Sequence, residues 1–353
     1  MKVESIRAWA FDAPLTRPYA IAGGQWDSVQ MAFVELRTDS GLVGYGMASP
    51  AEEVTGESRA ASLAALQDCG WLVGEDPVDE ARLAQIEERI VGPAARAAVD
   101  MALCDLVGKS AKLPFVERVG RKRAALSTSV TIGVKPVVET VAEAREYVNR
   151  GFAALKVKVG ESLGEDLDRL TFLRLEFGGA VSLRADANQG YDEKQFTEFV
   201  QASASLGLEL IEQPLPPGHE GFLRSFPPDV QRILCADESV HDEAALARLV
   251  ADGCPYGVVN VKLQKCGGPR SAMRLARLCH QHGISVMWGC NDESVLGIAA
   301  ALHAAFACDA TRFLDLDGSL DLARDAFSGG FTIREGRMST LLRAGLGCEL
   351  EHA

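Results

Sequence analysis

Five charged residues fall at even intervals through the middle of the chain: Lys158, Asp186, Glu212, Asp237 and Lys262, with steps of 28, 26, 25 and 25 residues. Each ends a short run rich in β-formers: ALKVK, AVSLRAD, LELIE, RILCAD and VVNVK. A charge on a buried strand is costly unless it is paired or holds a metal. Structural salt bridges at a rim account for one or two such pairs, but not for three carboxylates in succession with a lysine on either side. Three oxygen donors suit a hard divalent cation such as Mg²⁺, which prefers octahedral oxygen coordination and keeps positions for water or substrate. The six histidines form no HxxxH or HExxH pattern and the nine cysteines no CxxC, so nothing favours zinc. Lys156 and Lys158 are two apart and share one face of a strand. Their mutual repulsion, with a nearby cation, is expected to bring a lysine down from about 10.4 toward the range of a working base. A proton beside a carboxylate is very weakly acidic, and removing it leaves a dianionic enolate that a bound cation stabilises. The set therefore points to proton transfer next to a substrate carboxylate.

The elements that must position these residues follow from the spacing. A step of about 25 residues is one strand–helix unit. After Arg123, strand candidates at 126–133, 154–160, 180–186, 208–212, 232–237, 256–263, 284–290 and 312–317 alternate with amphipathic segments such as PVVETVAEAREYVNR and GPRSAMRLARLCHQHG. Eight strands separated by seven helices predict an α/β fold, a modified (β/α)7β TIM barrel over 123–325, with charged residues at the C-terminal strand ends where such barrels carry their sites. An open doubly wound sheet would need a Gly-rich phosphate turn near its start, and none is present. Residues 1–122 read differently. An alternating run at 2–10, a QMAFVELR strand, an Asp-Ser-Gly turn and GLVGYG precede helical sequence from Ser58 to Val119, an α+β capping domain. Residues 326–353 are expected to return to that cap.

The bulk properties narrow the class. The 353 residues carry a net charge of −13, which opposes nucleic acid and anionic membranes as partners. No apolar run reaches the length of a membrane span. The start, MKVESIRAWAFDAPL, lacks a secretory h-region, and an odd number of cysteines in mostly apolar surroundings reads as free thiols, so a cytoplasmic location is expected.

KVK at 156–158, DAN at 186–188, EQP at 212–214, ADES at 236–239 and VKLQKCGG at 261–268, with AARAAVDMALCDLVGK in the cap, resemble the enolase superfamily in its muconate lactonizing enzyme branch. That resemblance implies one Mg²⁺ per subunit on Asp186, Glu212 and Asp237. It implies Lys158 and Lys262 as the acid/base pair on opposite faces of the enolate, with Lys156 assisting electrostatically. Lys262 falls at the strand end and is chosen over Lys265, which is expected to be a solvated residue of the following loop. Asn188 serves either a site hydrogen bond or a turn.

FLDLDG at 313–318 resembles the dipeptide epimerases, L-Ala-D/L-Glu epimerase-like enzymes in which the DxD carboxylates bind the substrate's α-ammonium. Asp315 and Asp317 share a strand face and suit a cation. The implied reaction is a 1,1-proton transfer at the C-terminal residue of an L,L-dipeptide. The alternatives are an N-acylamino acid racemase, an o-succinylbenzoate synthase or a muconate cycloisomerase of the same branch, and, outside catalysis, a binding protein on a retained barrel. The stretch after Arg17, PYAIAGGQWDSVQMAFVEL, has no Lys or Arg, which argues against a glutamate side chain. Tyr19, Ile21 and Trp26 are candidates for an apolar pocket. In WGCNDES, Asp292 either favours a cationic side chain or faces solvent, and Glu293 is a candidate substrate-binding residue. The partners expected are a small dipeptide and further copies of the chain in a homo-oligomer.

Overall fold

A computed structural model describes residues 1–21 and 24–351, with the side chains of 18–21, 24–26 and Glu53 outside the description. The first sheet is antiparallel, β1 (Val3–Ile21), β2 (Gly24–Thr38) and β3 (Val43–Ala48), in that order. Its central strand shows how period two builds two interfaces at once. Ala32, Val34 and Leu36 pack into a core with Leu66, Leu72, Ala98 and Leu103, while Met31 and Phe33, on the other face, join the main core. Phe33 reaches Phe327 of the C-terminal segment, with ring centroids 5.1 Å apart.

Helix Pro93–Ala111 lies against β3 and is apolar nearly all round because it packs on both sheet and barrel. Two glycines of β3 permit this approach. A Cβ on Gly46 would sit 1.8 Å from the Ala98 carbonyl oxygen, and one on Gly44 2.3 Å from that of Ala102. The β1–β2 hairpin is longer than the two short runs read from sequence. After an irregularity between Pro14 and Tyr19 its register resumes with Tyr19 opposite Trp26, so the stretch after Arg17 is largely ladder.

After β4 (Leu126–Ser127) come the barrel strands: β5 (Val130–Ile132), β6 (Ala154–Lys158), β7 (Ser182–Asp186), β8 (Leu210–Glu212), β9 (Leu234–Ala236), β10 (Val258–Lys262), β11 (Ser285–Gly289) and β12 (Thr311–Asp315). All pairs are parallel and follow chain order. The ring is drawn nearly shut by a bridge between Thr128 and Leu314 and by Ser129 N–H donating to the Leu314 carbonyl at 3.1 Å. The run read as one strand over 126–133 is split. β4 turns away to pair with β15 (Arg337–Thr340), which also pairs with β14 (Phe331–Arg334).

The remaining strands, β13 (Phe327–Gly329) and β16 (Cys348–Leu350), pair with one another. The C-terminal segment touches the cap as well, since Gly345 exchanges hydrogen bonds with Leu113 and Phe115. Seven helical crossovers join the eight barrel strands, and the chain leaves β12 without an eighth.

Candidate active site

The parallel register sets the ladder side by side. Lys158 pairs with Asp186 across β6 and β7, and Asp186 with Glu212 across β7 and β8. Asp237 follows the end of β9. Lys262 ends β10, four strands round the ring from β6, so the two lysines face each other across the barrel mouth. Lys156, Lys158, Lys262, Asn188, Asp315 and Asp317 line one cavity of about 580 Å³, which cap residues including Gln30 and Ser49 also line. A larger hollow of about 880 Å³ beside Trp71 and Arg89 lies within the cap and contains none of the ladder, so the chemistry belongs to the smaller one.

Each carboxylate of the ladder is covered by lysine. Lys158 Nζ donates to Asp186 Oδ2 at 2.7 Å and to Asn188 Oδ1 at 2.7 Å. Lys156 Nζ lies among Asp315 Oδ2 at 2.5 Å, Asp186 Oδ2 at 3.1 Å and Glu212 Oε2 at 3.2 Å. Lys262 Nζ donates to Asp237 Oδ2 at 2.8 Å.

The neighbouring carboxylates act against the expected lowering at Lys156 and Lys262. Burial does push Lys156 and Lys262 down, but Asp315, Glu212 and Asp186 around the first, and Asp237 and Glu212 around the second, outweigh it and raise both. Lysine–lysine repulsion is the smaller effect here because carboxylates are interposed. Burial alone would raise Asp186, but Lys158 and Lys156 bring it to about 2. Glu212 goes the other way, to about 7, through burial and then the charge of Asp186.

Among the described residues no three His, Cys, Asp or Glu side chains are already gathered as a metal cage, because the oxygens are turned onto lysines. The donor set nevertheless fits a hard cation. Three buried carboxylates stand on neighbouring strand ends, Glu212 is raised by burial and then by Asp186, and Glu238 Oε2 beside them is buried without a hydrogen-bond partner among the described residues. Crowded negative charge of this kind, with oxygen donors only, is what a divalent ion relieves.

The sequence of each half has a known counterpart. Residues 5–120 match the model "Mandelate racemase / muconate lactonizing enzyme, N-terminal domain", and residues 139–353 match "Enolase C-terminal domain-like". The chain belongs to the mandelate racemase/muconate lactonizing enzyme family of the enolase superfamily. It is 47% identical over 351 residues to the L-Lys-D/L-Arg epimerase of Methylococcus capsulatus, covering 98% of this chain and 99% of that one. It is 34% identical to the hydrophobic dipeptide epimerase of Enterococcus faecalis, over 94% of this chain and 95% of the other. A crystal structure of the Methylococcus capsulatus dipeptide epimerase, complexed with Mg and the dipeptide L-Arg-D-Lys, superposes with a TM-score of 0.96 at 46% identity, covering 99% of each chain.

Within this family frame the other expected site residues fall into place unevenly. Asp315 is fully engaged, accepting from Lys156 and, at 2.6 Å, from Ser129 Oγ. Among the described residues the Asp317 carboxylate accepts only the Thr131 N–H, at 2.6 Å, and it is pushed up to about 7 by burial and then by Asp315 and Asp321. The two carboxylates are therefore not equivalent. Asn188 meets both readings: it has φ +40°, donates its N–H to Asp186 Oδ1 at 3.1 Å, and its amide oxygen holds Lys158. Tyr19 and Trp26 face each other in register, but their side chains lie outside the described residues. Asp292 does not simply face solvent. It is half-buried and lines the cavity.

Glu293 does not line the cavity. It is buried with Oε2 accepting from Gln264 Nε2 at 2.8 Å and Oε1 from Asn291 N–H at 3.2 Å. Gln264 Oε1 in turn accepts from Ser49 N–H at 3.0 Å, and Asn291 Nδ2 donates to the Ser49 carbonyl at 3.0 Å. The polar strand-seven segment thus docks the cap beside the site. Lys265 is not solvated either. It is 4% exposed, because the turn after β10 folds back as the one-turn helix Leu263–Cys266 and carries its side chain into the barrel wall.

Three residues were missed from the sequence. Asn260 donates to Glu212 Oε1 at 2.5 Å, and its position two before Lys262 on the same face was a usable signal. Gln213 accepts the N–H groups of Asp237 and Ser239 at 2.9 and 3.1 Å. Asp321 lines the cavity and is raised to about 6 by burial, then by Asp292 and Glu143. It lies in a loop, where no periodicity marks it.

Proposed function

We propose that this protein is a Mg²⁺-dependent dipeptide epimerase whose substrates carry a cationic side chain. The observation that carries the proposal is one cavity bounded by lysines from opposite sides of the barrel, Lys158 and Lys262, with Asp317 at its edge holding no cation of its own among the described residues. A bound divalent cation on Asp186, Glu212 and Asp237 supplies positive charge against the substrate carboxylate and against the dianion formed when the α-proton leaves.

The remaining work falls to this chain's side chains. Lys158 and Lys262 stand on the two faces. The one in its neutral form takes the α-proton of the C-terminal residue onto Nζ, and the other, as an ammonium, returns a proton to the opposite face. Asn188 holds the Lys158 ammonium in line. Lys156, fixed among three carboxylates, keeps a positive charge at the base of the site. Asp317, beside the already neutralised Asp315, takes the α-ammonium. Stereochemical inversion needs both lysines, which is why a single base would exchange the proton but not epimerise.

A cationic side chain is supported by the cavity's wall, where Asp292 and Asp321 face the same space, and by the Arg-Lys dipeptide bound in the Methylococcus capsulatus relative. The protein acts in the cytoplasm as a homo-oligomer in this reading. All nine cysteines are free, no described helix is long and apolar enough to cross a membrane, and Val138, Phe172 and Leu175 leave apolar surface on adjacent helices. The test is proton NMR in D₂O with L-Arg-L-Lys, L-Lys-L-Arg, L-Leu-L-Tyr and L-Ala-L-Glu. Deuterium is expected at the C-terminal α-carbon with inversion, fastest for the cationic pair. Absence of exchange with every L,L-dipeptide would sink the proposal.

A further inference from the structure

The lysine that sequence placed in solvent has the most constrained ammonium in the barrel. Lys265 Nζ is surrounded by the carbonyl oxygens of Asp237 at 2.7 Å, Asn260 at 3.1 Å and Val240 at 3.2 Å, and it also donates to Asp237 Oδ1. An ammonium has three protons, so four oxygens saturate it. Three of those oxygens are backbone. The group is therefore fixed in the wall, and it does not line the cavity.

Asp237 is consequently a divided carboxylate. Oδ1 is tied to the wall by Lys265, while Oδ2 meets Lys262, which does line the cavity. The other two carboxylates repeat the division. Asp186 Oδ1 accepts the Asn188 N–H and its Oδ2 meets Lys158. Glu212 Oε1 accepts the Asn260 amide and its Oε2 meets Lys156. Each keeps one oxygen on a fixed donor and offers the other.

We infer that Lys265, with Asn260, is a positioning residue that makes its carboxylate a one-oxygen ligand and so selects a small octahedral cation over Ca²⁺. The inference rests on the metal site proposed above. Mg²⁺ holds oxygens at about 2.0–2.1 Å in near-ideal octahedral geometry, whereas Ca²⁺ takes six to eight oxygens at about 2.3–2.6 Å and gains from carboxylates bound through both oxygens. Tying one oxygen of each carboxylate to the wall withholds that second contact. Lys265 is the strongest of the three ties because it is charged and fully buried.

Removing an ammonium also changes the field at the cation, but that change acts alike on two divalent ions. The ratio of their affinities isolates the geometric effect. Metal-free full-length protein is titrated by calorimetry with Mg²⁺ alone and with Ca²⁺ alone, in wild type, Lys265→Met and Asn260→Ala. The Ca²⁺ Kd divided by the Mg²⁺ Kd is expected to fall by about 10-fold or more in Lys265→Met, the range that second-layer changes around metals produce, and in the same direction in Asn260→Ala. Asn260→Ala removes no charge and decides the question by itself if Lys265→Met does not fold. A ratio within twofold of wild type in every variant that folds overturns the clamp while leaving the metal site standing. Wild-type protein that binds neither ion overturns the metal site, and the clamp with it.

Discussion

Replacing Asp317 by Asn should weaken substrate binding and stabilise the protein at high pH in one step. Asp317 is 8% exposed, accepts a single hydrogen bond from Thr131 and has no cationic partner among the described residues. Its carboxyl is raised from 3.8 to about 7 by burial, with Asp315 and Asp321 adding to it. At about 1.4 kcal/mol for each pH unit, the charged form costs about 4 kcal/mol more in the pocket than in water. A substrate ammonium recovers much of that energy and Asn cannot supply the charge. The Asp317→Asn variant should therefore lose about 2–4 kcal/mol in kcat/KM at pH 8, roughly 30- to 1,000-fold.

Stability moves the other way. The folded pKa lies above the unfolded one, so this group's contribution is fully present below pH 4 and is lost as pH rises through about 7. The neutral amide has no such loss. Between pH 5 and pH 8 the variant's melting temperature should fall less than that of wild type, and at pH 8 it should equal or exceed it. The assays are deuterium exchange on a free-amino dipeptide and thermal unfolding at the two pH values. A variant within threefold of wild-type kcat/KM, or one destabilised equally at both pH values, refutes the assignment of Asp317 as the uncompensated anion.

Lys158→Ala and Lys262→Ala should each lower epimerisation by about 10²–10⁴-fold, the range for losing a general acid or base, with deuterium incorporation and optical rotation as readouts. Asp321→Asn should reduce kcat/KM for Lys- or Arg-containing dipeptides by about 1–2 kcal/mol, roughly 5- to 30-fold, and leave Leu- or Met-containing ones unchanged; equal losses on both classes would remove Asp321 from specificity. Gly46→Ala should destabilise the cap by about 1–3 kcal/mol or more, because the new Cβ would meet the Ala98 carbonyl oxygen 1.8 Å away and overpack the β3–helix contact; urea denaturation gives the value.

Much of the barrel was legible because one strand–helix unit repeats at a near-constant length and each unit ends on a charge. Lys158, Asp186, Glu212, Asp237 and Lys262 could be placed on one rim from spacing alone, since parallel strands in sequence order bring equal positions to equal heights. The cap was legible only in part. Its long hairpin extends well past the alternating run at 2–10, because Pro14 and Pro18 interrupt the strand signal within β1 while the ladder tolerates them at its edge.

What sequence determined by itself, then, was the inventory and order of the chemistry: oxygen donors, lysines on either side, and a DxD after the eighth strand. What only the tertiary structure decided was which of these charges are already neutralised. Lys156 lies on Asp315, Asp186 and Glu212, and Asp317 has no ion-pair partner among the described residues. Glu293 turns from the cavity to hold Gln264 and Asn291 against Ser49 of the cap. Lys265, three residues from Lys262, is folded by a single helical turn into the wall behind Asp237. Pairing depends on ångström-scale distances between strands far apart in the chain and on burial, which weakens dielectric screening, and neither is written in the order of residues along one strand.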